Sequence, residues 1–344
     1  MTKTPIGIIG TGRMAATMTR ALHSSAEFMP AAVLSSTLPR ATAFSQALNC
    51  GQPFDKEEEF LSAKIKAVYI ANANGQHATL ARAAIMAGLP VLVEKPLTTT
   101  AAETEALCAL AAERGVTLME NLWTLALPAY RALKGDLGPA AGPHRMTFDF
   151  SMPVAPAAMP GLFDPKTGGA ILDRAIYGLA YARDLFGPVA DFQTDLRRDD
   201  SGVDLGATLL LTHESGARSV ITVALDMGGA NTLSVSNGGR HLHLDSALGG
   251  EHLHIRDYFS PTLPSADGIA PEGKVAKLKA MPALRRLKAR LGHRMGAYHG
   301  FGANMYHPIL TAFAQTLPSG AQSPLVPHDL SIAVARLIAE ARAQ

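Results

Sequence analysis

Ile6-Gly7-Ile8-Ile9-Gly10-Thr11-Gly12-Arg13-Met14-Ala15 joins a short apolar run, through a glycine turn, to a helix-forming segment that continues to His23. The turn is a GxGxxA. Gly10 permits the tight turn, Gly12 lets backbone approach a pyrophosphate, and the small Ala15 lets helix and strand pack closely. The helix N-terminus adds free N–H groups and the positive end of a dipole. A bare glycine pattern is common, and this one gains weight from the strands and helices after it. Apolar runs at Ala31–Ser35, Ala67–Ala71, Pro90–Val93 and Val116–Met119 alternate with helical stretches at Arg40–Leu48, His77–Ala87 and Ala101–Glu113. Alternating strands and helices with right-handed crossovers predict a doubly wound parallel sheet, an α/β Rossmann domain over residues 1–123.

Dinucleotide sites usually place an Asp or Glu about 20 residues past the glycines, on the adenosine ribose. From Phe28 to Phe54 this chain has no acidic residue, and the end of the second strand offers Ser35-Ser36-Thr37 and then Arg40. Hydroxyls and a guanidinium suit a 2′-phosphate, so the expected cofactor is NADP(H), with NAD second.

Composition narrows the remaining classes. The 344 residues are 47% hydrophobic and 17% charged, which excludes a disordered chain and favours two domains. A net charge of +2, from 31 Lys plus Arg against 29 Asp plus Glu, argues against a nucleic-acid partner. Cys50 and Cys108 stand in no metal or redox motif, and no apolar run approaches the roughly 18 residues of a membrane helix. Met1 to Pro5 leads directly into the first strand, so a soluble, cytoplasmic protein is expected.

Glu94-Lys95-Pro96-Leu97 follows the fourth strand, at the sheet's C-terminal edge where ligands of doubly wound folds bind. With the GxGxxA turn and Asn74-Gly75-Gln76-His77, it resembles the Gfo/Idh/MocA oxidoreductase family. Met119-Glu120-Asn121-Leu122-Trp123-Thr124, Pro128-Ala129-Tyr130, Gly168-Gly169-Ala170-Ile171-Leu172-Asp173-Arg174-Ala175-Ile176-Tyr177 and Ser323-Pro324-Leu325-Val326-Pro327 are most similar to its dimeric dihydrodiol and xylose dehydrogenase branch.

The resemblance implies NAD(P)-dependent hydride transfer at a sugar, polyol or cyclic diol carbon, with Lys95, Asp173 and Tyr177 at catalytic positions. It places cofactor contacts at Gly10, Thr11, Gly12, Arg13, Met14, Ser35, Ser36, Thr37, Arg40, Ala71, Asn72, Asn74, His77, Glu94, Lys95 and Pro96. Substrate contacts fall at Trp123, Asp149 and Phe150. Asp173 and Tyr177, four residues apart, share a helix face. A tyrosine titrating near 10 serves as acid or base once a cation such as Lys95 lowers its pKa. Leu125, Thr167, Arg174 and the Asn72-Ala73 pair depart from the branch pattern, which points to a different pocket. The alternative is a catalytically weak or inactive NADP(H)-binding regulatory protein of the same fold.

After His144 the alternation stops. Runs at Arg145–Ser151, Asp191–Leu196, Ala207–Thr212, Arg218–Asp226, Thr232–Ser236 and His241–Asp245 are joined by turn sequences. They predict an α+β domain over 124–344 with a large, mostly antiparallel open sheet backed by a helix at Ala170–Phe186. In the resembled family the open face is a dimer interface, and apolar residues on both faces of Arg218–Leu225 suit a homodimer. The basic segment 274–294 reads as a solvated helix, and His241, His243, His252 and His254 lack a clear further ligand, so no metal is expected.

Overall fold

The computed structural model describes residues 3–138, 143–258, 281–282 and 296–344. The first sheet contains β1 (Thr4–Ile9), β2 (Phe28–Leu34), β3 (Gln52–Phe54), β4 (Ala67–Ile70), β5 (Val91–Val93) and β6 (Leu118–Glu120), all parallel, in the order β3-β2-β1-β4-β5-β6. That order reverses direction between β1 and β4, which opens a crevice at their C-terminal ends. Burial on both faces explains the unbroken apolar runs: all four residues of β4 and all three of β5 are buried.

Helices cover the sheet. α1 (Arg13–Ser24) turns Ala15, Met18, Ala21 and Leu22 inward, the spacing of one helical face. α2 (Leu38–Leu48) and α4 (His77–Met86) follow their strands, and α5 (Ala101–Arg114) starts on a Thr100 cap that accepts the Glu103 N–H at 3.2 Å. β3 and the five-residue α3 (Glu57–Leu61) were not expected from sequence. Three residues are too few to show a period, and Pro53 weakens the strand signal.

The second sheet has the order β14-β13-β12-β11-β7-β10-β9-β8. Its strands are β7 (His144–Ser151), β8 (Val189–Arg198), β9 (Asp204–His213), β10 (Arg218–Ala224), β11 (Leu233–Asn237), β12 (Arg240–Leu244), β13 (His252–Asp257) and β14 (Ala297–Tyr298). Only the central β7–β10 pair is parallel. β13 and β14 extend the expected sheet. One face packs on α6 (Pro128–Leu137) and α7 (Ile176–Phe186).

Two expectations need correction. The helix expected over Ala170–Phe186 is a π-helical turn at Ile171–Ala175 followed by α7, so the Asp173–Tyr177 spacing crosses a junction rather than one regular turn. The open face is also more polar than Arg218–Leu225 suggested. Ile221 and Val223 are buried beneath the sheet, leaving Val220 and Thr222 outside with Thr208, Ser234, Ser236, His241 and His243.

The chain then returns to the first sheet. α8 (His307–Thr316) stacks Phe313 on Phe28 at 5.7 Å, and Thr311 donates to Glu27 at 2.6 Å. α9 (His328–Ala343) packs between α5 and α7. The basic segment 274–294 lies outside the described residues apart from Met281 and Pro282. Among the described residues no helix is long and apolar enough to cross a membrane.

Candidate active site

The crevice is a cleft of about 1160 Å³ running from β1 and β2 to the start of the second unit. This exceeds the roughly 300–1,000 Å³ of ordinary small-molecule pockets and has room for a dinucleotide. Gly10 and Gly12 shape its floor in different ways. Gly10 sits at φ +114°, where a Cβ would lie 2.5 Å from the Ala71 carbonyl oxygen. Gly12 caps α1 with nothing within 4 Å of where its Cβ would be, so its surface is open backbone. No side chain caps the helix and its first turn carries no acid, which leaves its N–H groups available to an anion. Thr11, Arg13 and Met14 line the same end, and Thr11 shares a 3.1 Å hydrogen bond with Ser35.

Ser36 and Arg40 also reach this end, whereas Thr37 starts α2 without lining the cleft. Asp55 and Glu57 lie there too, carried in by β3 and α3. The acid-free stretch therefore stops one residue short of a carboxylate that the fold returns to the cleft. Asp55 accepts the Leu38 N–H at 3.2 Å, so part of its charge is spoken for by α2.

At the other end, Ala71, Asn72 and Asn74 form the wall. Asn72 Oδ1 is buried without a hydrogen-bond partner among the described residues, an acceptor suited to a ligand amide. Asn74 reaches across to the Thr167 carbonyl at 2.9 Å, and Arg13 touches Met159 at 2.9 Å, so a segment of the second unit covers the cleft. His77 does not face the cleft. It is buried, and burial lowers its pKa, so the neutral ring donates from Nδ1 to the Pro96 carbonyl at 2.8 Å. That bond and a cis Lys95-Pro96 peptide shape the loop that presents Lys95.

Lys95 joins the two units. Its ammonium lies 2.6 Å from Asp173 Oδ1, 2.7 Å from the Asp173 carbonyl oxygen and 5.0 Å from the centre of the Tyr177 ring. Burial alone would push its pKa down, but the charge and hydrogen bond of Asp173 outweigh burial and hold it protonated, well above the ordinary lysine value. Glu94 sits behind it, accepting from Tyr69 and Asn121 at 2.5 Å each, with its pKa raised by burial.

Tyr177 departs from expectation. It is 5% exposed, wedged edge-on between Trp123 at 6.4 Å and Phe150 at 6.2 Å. Burial raises its pKa, and the pull of Lys95 only partly offsets this, so the phenol is protonated throughout the neutral range. Asp149 alternates away from Phe150 onto the open face of the sheet and accepts the Asn231 N–H at 3.3 Å. The structure thus gathers Lys95, Asp173, Tyr177, Trp123 and Phe150 and leaves Asp149 outside.

Arg174 replaces an expected apolar residue. It is buried, donates to the Met152 carbonyl at 2.6 Å and to the Ala224 carbonyl, and lies 5.0 Å above the Phe150 ring. Its Nε is 3.8 Å from Asp173 Oδ2, a second cation on that carboxylate. Leu125 is fully buried. Tyr306, 5.1 Å from Trp123, was invisible in sequence because its segment carries no motif. On the open sheet the His241 and His243 rings stand 6.3 Å apart and His243 and His254 6.0 Å apart. Among the described residues no group of three His, Cys, Asp or Glu side chains is placed to hold a metal.

Comparison with known proteins agrees with this geometry. Residues 4–122 match the model of the GFO/IDH/MocA oxidoreductase family, described as an NAD-binding Rossmann fold, and residues 140–238 match the GFO/IDH/MocA C-terminal domain. The trans-1,2-dihydrobenzene-1,2-diol dehydrogenase of Mus musculus is 31% identical over 243 residues, 67% of this chain and 71% of that protein. A D-xylose 1-dehydrogenase (NADP(+)) of Haloferax volcanii is 27% identical over 339 residues, 96% and 94% of the two chains. A 3-ketoreductase from Actinomadura kijaniata, solved with NADP and TDP-benzene, superposes with a TM-score of 0.78 at 24% identity, covering 99% of this chain and 98% of the other.

Proposed function

This chain belongs to the Gfo/Idh/MocA family of oxidoreductases, and we propose that it is an NADP(H)-dependent enzyme interconverting an alcohol and a carbonyl on a sugar, polyol or cyclic diol. The observation that carries the reading is the Lys95 ammonium, fixed 2.6 Å from Asp173 and 5.0 Å from the Tyr177 ring beside a dinucleotide-sized cleft. The named dehydrogenase relatives support the substrate class, and the NADP(+)-linked relative supports the cofactor.

The residues fit a dinucleotide. Backbone N–H groups from Gly12 to Ala15 would hold the pyrophosphate, Ser35, Ser36 and Arg40 the adenosine end, and Asn72 and Asn74 the nicotinamide end. When bound, the nicotinamide supplies or accepts a hydride. The protein's part is charge and proton management. In reduction, the Lys95 ammonium stabilises negative charge growing on the carbonyl oxygen, and Asp173 holds that ammonium in place. The protonated Tyr177 supplies the proton that completes the alcohol, so one hydride and one proton are consumed per carbonyl. Oxidation reverses each step.

Leu210, 47% exposed, pairs across the open sheet with Val220, and this apolar pair anchors a proposed homodimer contact. The free, buried Cys50 and Cys108 suit a reducing, cytoplasmic setting.

The test is fluorescence titration with NADPH and NADH, followed by turnover on a panel of sugars, polyols and cyclic diols. Tight NADPH binding with turnover of a panel member is expected. Absence of binding by either cofactor would refute the reading.

A further inference from the structure

Behind Lys95 the fold buries a carboxylate that the chemistry above does not use. Glu120 ends β6 in register with Val93, two residues before Lys95, and is 4% exposed. Its Oε1 accepts the Leu97 N–H at 2.8 Å. The Pro96 carbonyl on the same loop accepts from His77, so the turn after Lys95 is held from both sides by buried side chains. Glu120, Leu97 and Ser331 line a small cavity beneath the loop.

The residue type is the telling feature. Leu97 N–H needs an acceptor, and a glutamine amide oxygen would serve at far lower desolvation cost than a buried carboxylate. An ionisable group in that place argues for a role that uses its charge. An ionised carboxylate tightens the bond to Leu97 and adds negative potential beside Lys95.

We infer that Glu120 is a positioning residue for Lys95, its carboxylate anchoring Leu97 so that the ammonium stays seated against Asp173. This rests on the reading of Lys95 as part of the reacting centre. The groups facing Glu120 are Lys95, which favours its charge, and Glu94, which opposes it, with the Ser331 hydroxyl of α9 and the neutral Cys108 thiol of α5. Burial dominates and brings Glu120 up to about 7, so its charge changes across the physiological range.

The experiment compares the full-length protein with Glu120→Gln, which keeps the acceptor and removes the charge, and Glu120→Asp, which keeps the charge and withdraws it from Leu97. Labelling of Lys95 by fluorodinitrobenzene, followed by peptide mass mapping across pH 7 to 11, reads its environment without any turnover. Lys95 should label several-fold faster in both variants, with onset at lower pH in Glu120→Gln. Hydride transfer at pH 8 should fall about 3- to 30-fold in both, and the wild-type rise in rate between pH 6 and 8 should vanish in Glu120→Gln. Unchanged labelling and rates in Glu120→Asp overturn the proposal, and that variant alone decides if Glu120→Gln does not fold. A wild-type protein that turns over nothing defeats the functional reading instead, and the labelling result still decides the role of Glu120.

Discussion

Lys95 Nζ lies 2.6 Å from Asp173 Oδ1, although 78 residues of sequence and a change of domain separate them. The ion pair is therefore both one of the contacts between the two units and the centre of the proposed chemistry. Both side chains are mostly buried, so water screens the pair little, and removing one partner leaves the other poorly compensated.

Asp173→Asn should lower stability by about 2–4 kcal/mol, at or below the usual range for breaking a buried pair, because the Asp173 carbonyl still accepts from Lys95. Since the fold raises the Lys95 pKa, the pair's contribution is complete below the ordinary lysine value, near 10.4, and is lost as pH climbs through the raised one. Denaturant melts of both proteins from pH 6 to 11 should show a full, constant difference up to about pH 10 that only begins to narrow at pH 11.

Tyr177→Phe removes a hydroxyl from a ring already packed between Trp123 and Phe150. Folding and NADPH affinity should survive, and single-turnover hydride transfer should fall about 10²- to 10⁴-fold. With the phenol held above its usual pKa, no tyrosine inflection should occur below pH 10 in the wild-type profile. Retention of most of the rate would shift the proton to Lys95.

Gly10→Ala and Gly12→Ala should separate folding from binding. Alanine at position 10 meets the Ala71 carbonyl in a left-handed backbone conformation and should cost about 1–3 kcal/mol of stability. Alanine at position 12 meets nothing in the protein, so the melt should hardly move while NADPH affinity drops at least tenfold. Thermal melts and cofactor titrations on both variants check the contrast.

Arg40 and Asp55 should set cofactor choice in opposite senses. Arg40→Ala should narrow the preference for NADPH over NADH by about 1–3 kcal/mol through loss of a phosphate partner. Asp55→Asn should widen it by removing the carboxylate at that end of the cleft. Equal affinities for the two cofactors in the unmutated protein would end the argument.

Val220→Glu should dissociate the proposed dimer, because it sets a charge against Leu210 on the open sheet. Light scattering should report a dimer for the wild type and a monomer for the variant. A monomeric wild type at micromolar concentration would remove the dimer from the description.

Sequence by itself determined the parallel sheet and its glycine turn. Strands buried on both faces must be continuous apolar runs, and only glycine tolerates the conformation at position 10. The family resemblance carried by short local motifs also singled out Lys95, Asp173 and Tyr177, and the fold brings these three side chains together. Long-range contacts leave no such trace. Asp55 reached the cofactor end through a three-residue strand without periodicity, and Asp149 left the site because strand alternation turned it outward. The ionisation of the site was likewise decided by the tertiary structure. Proximity to Lys95 suggested a lowered tyrosine, but burial outweighs the cation, and burial is a property of the whole packed chain rather than of any spacing along it.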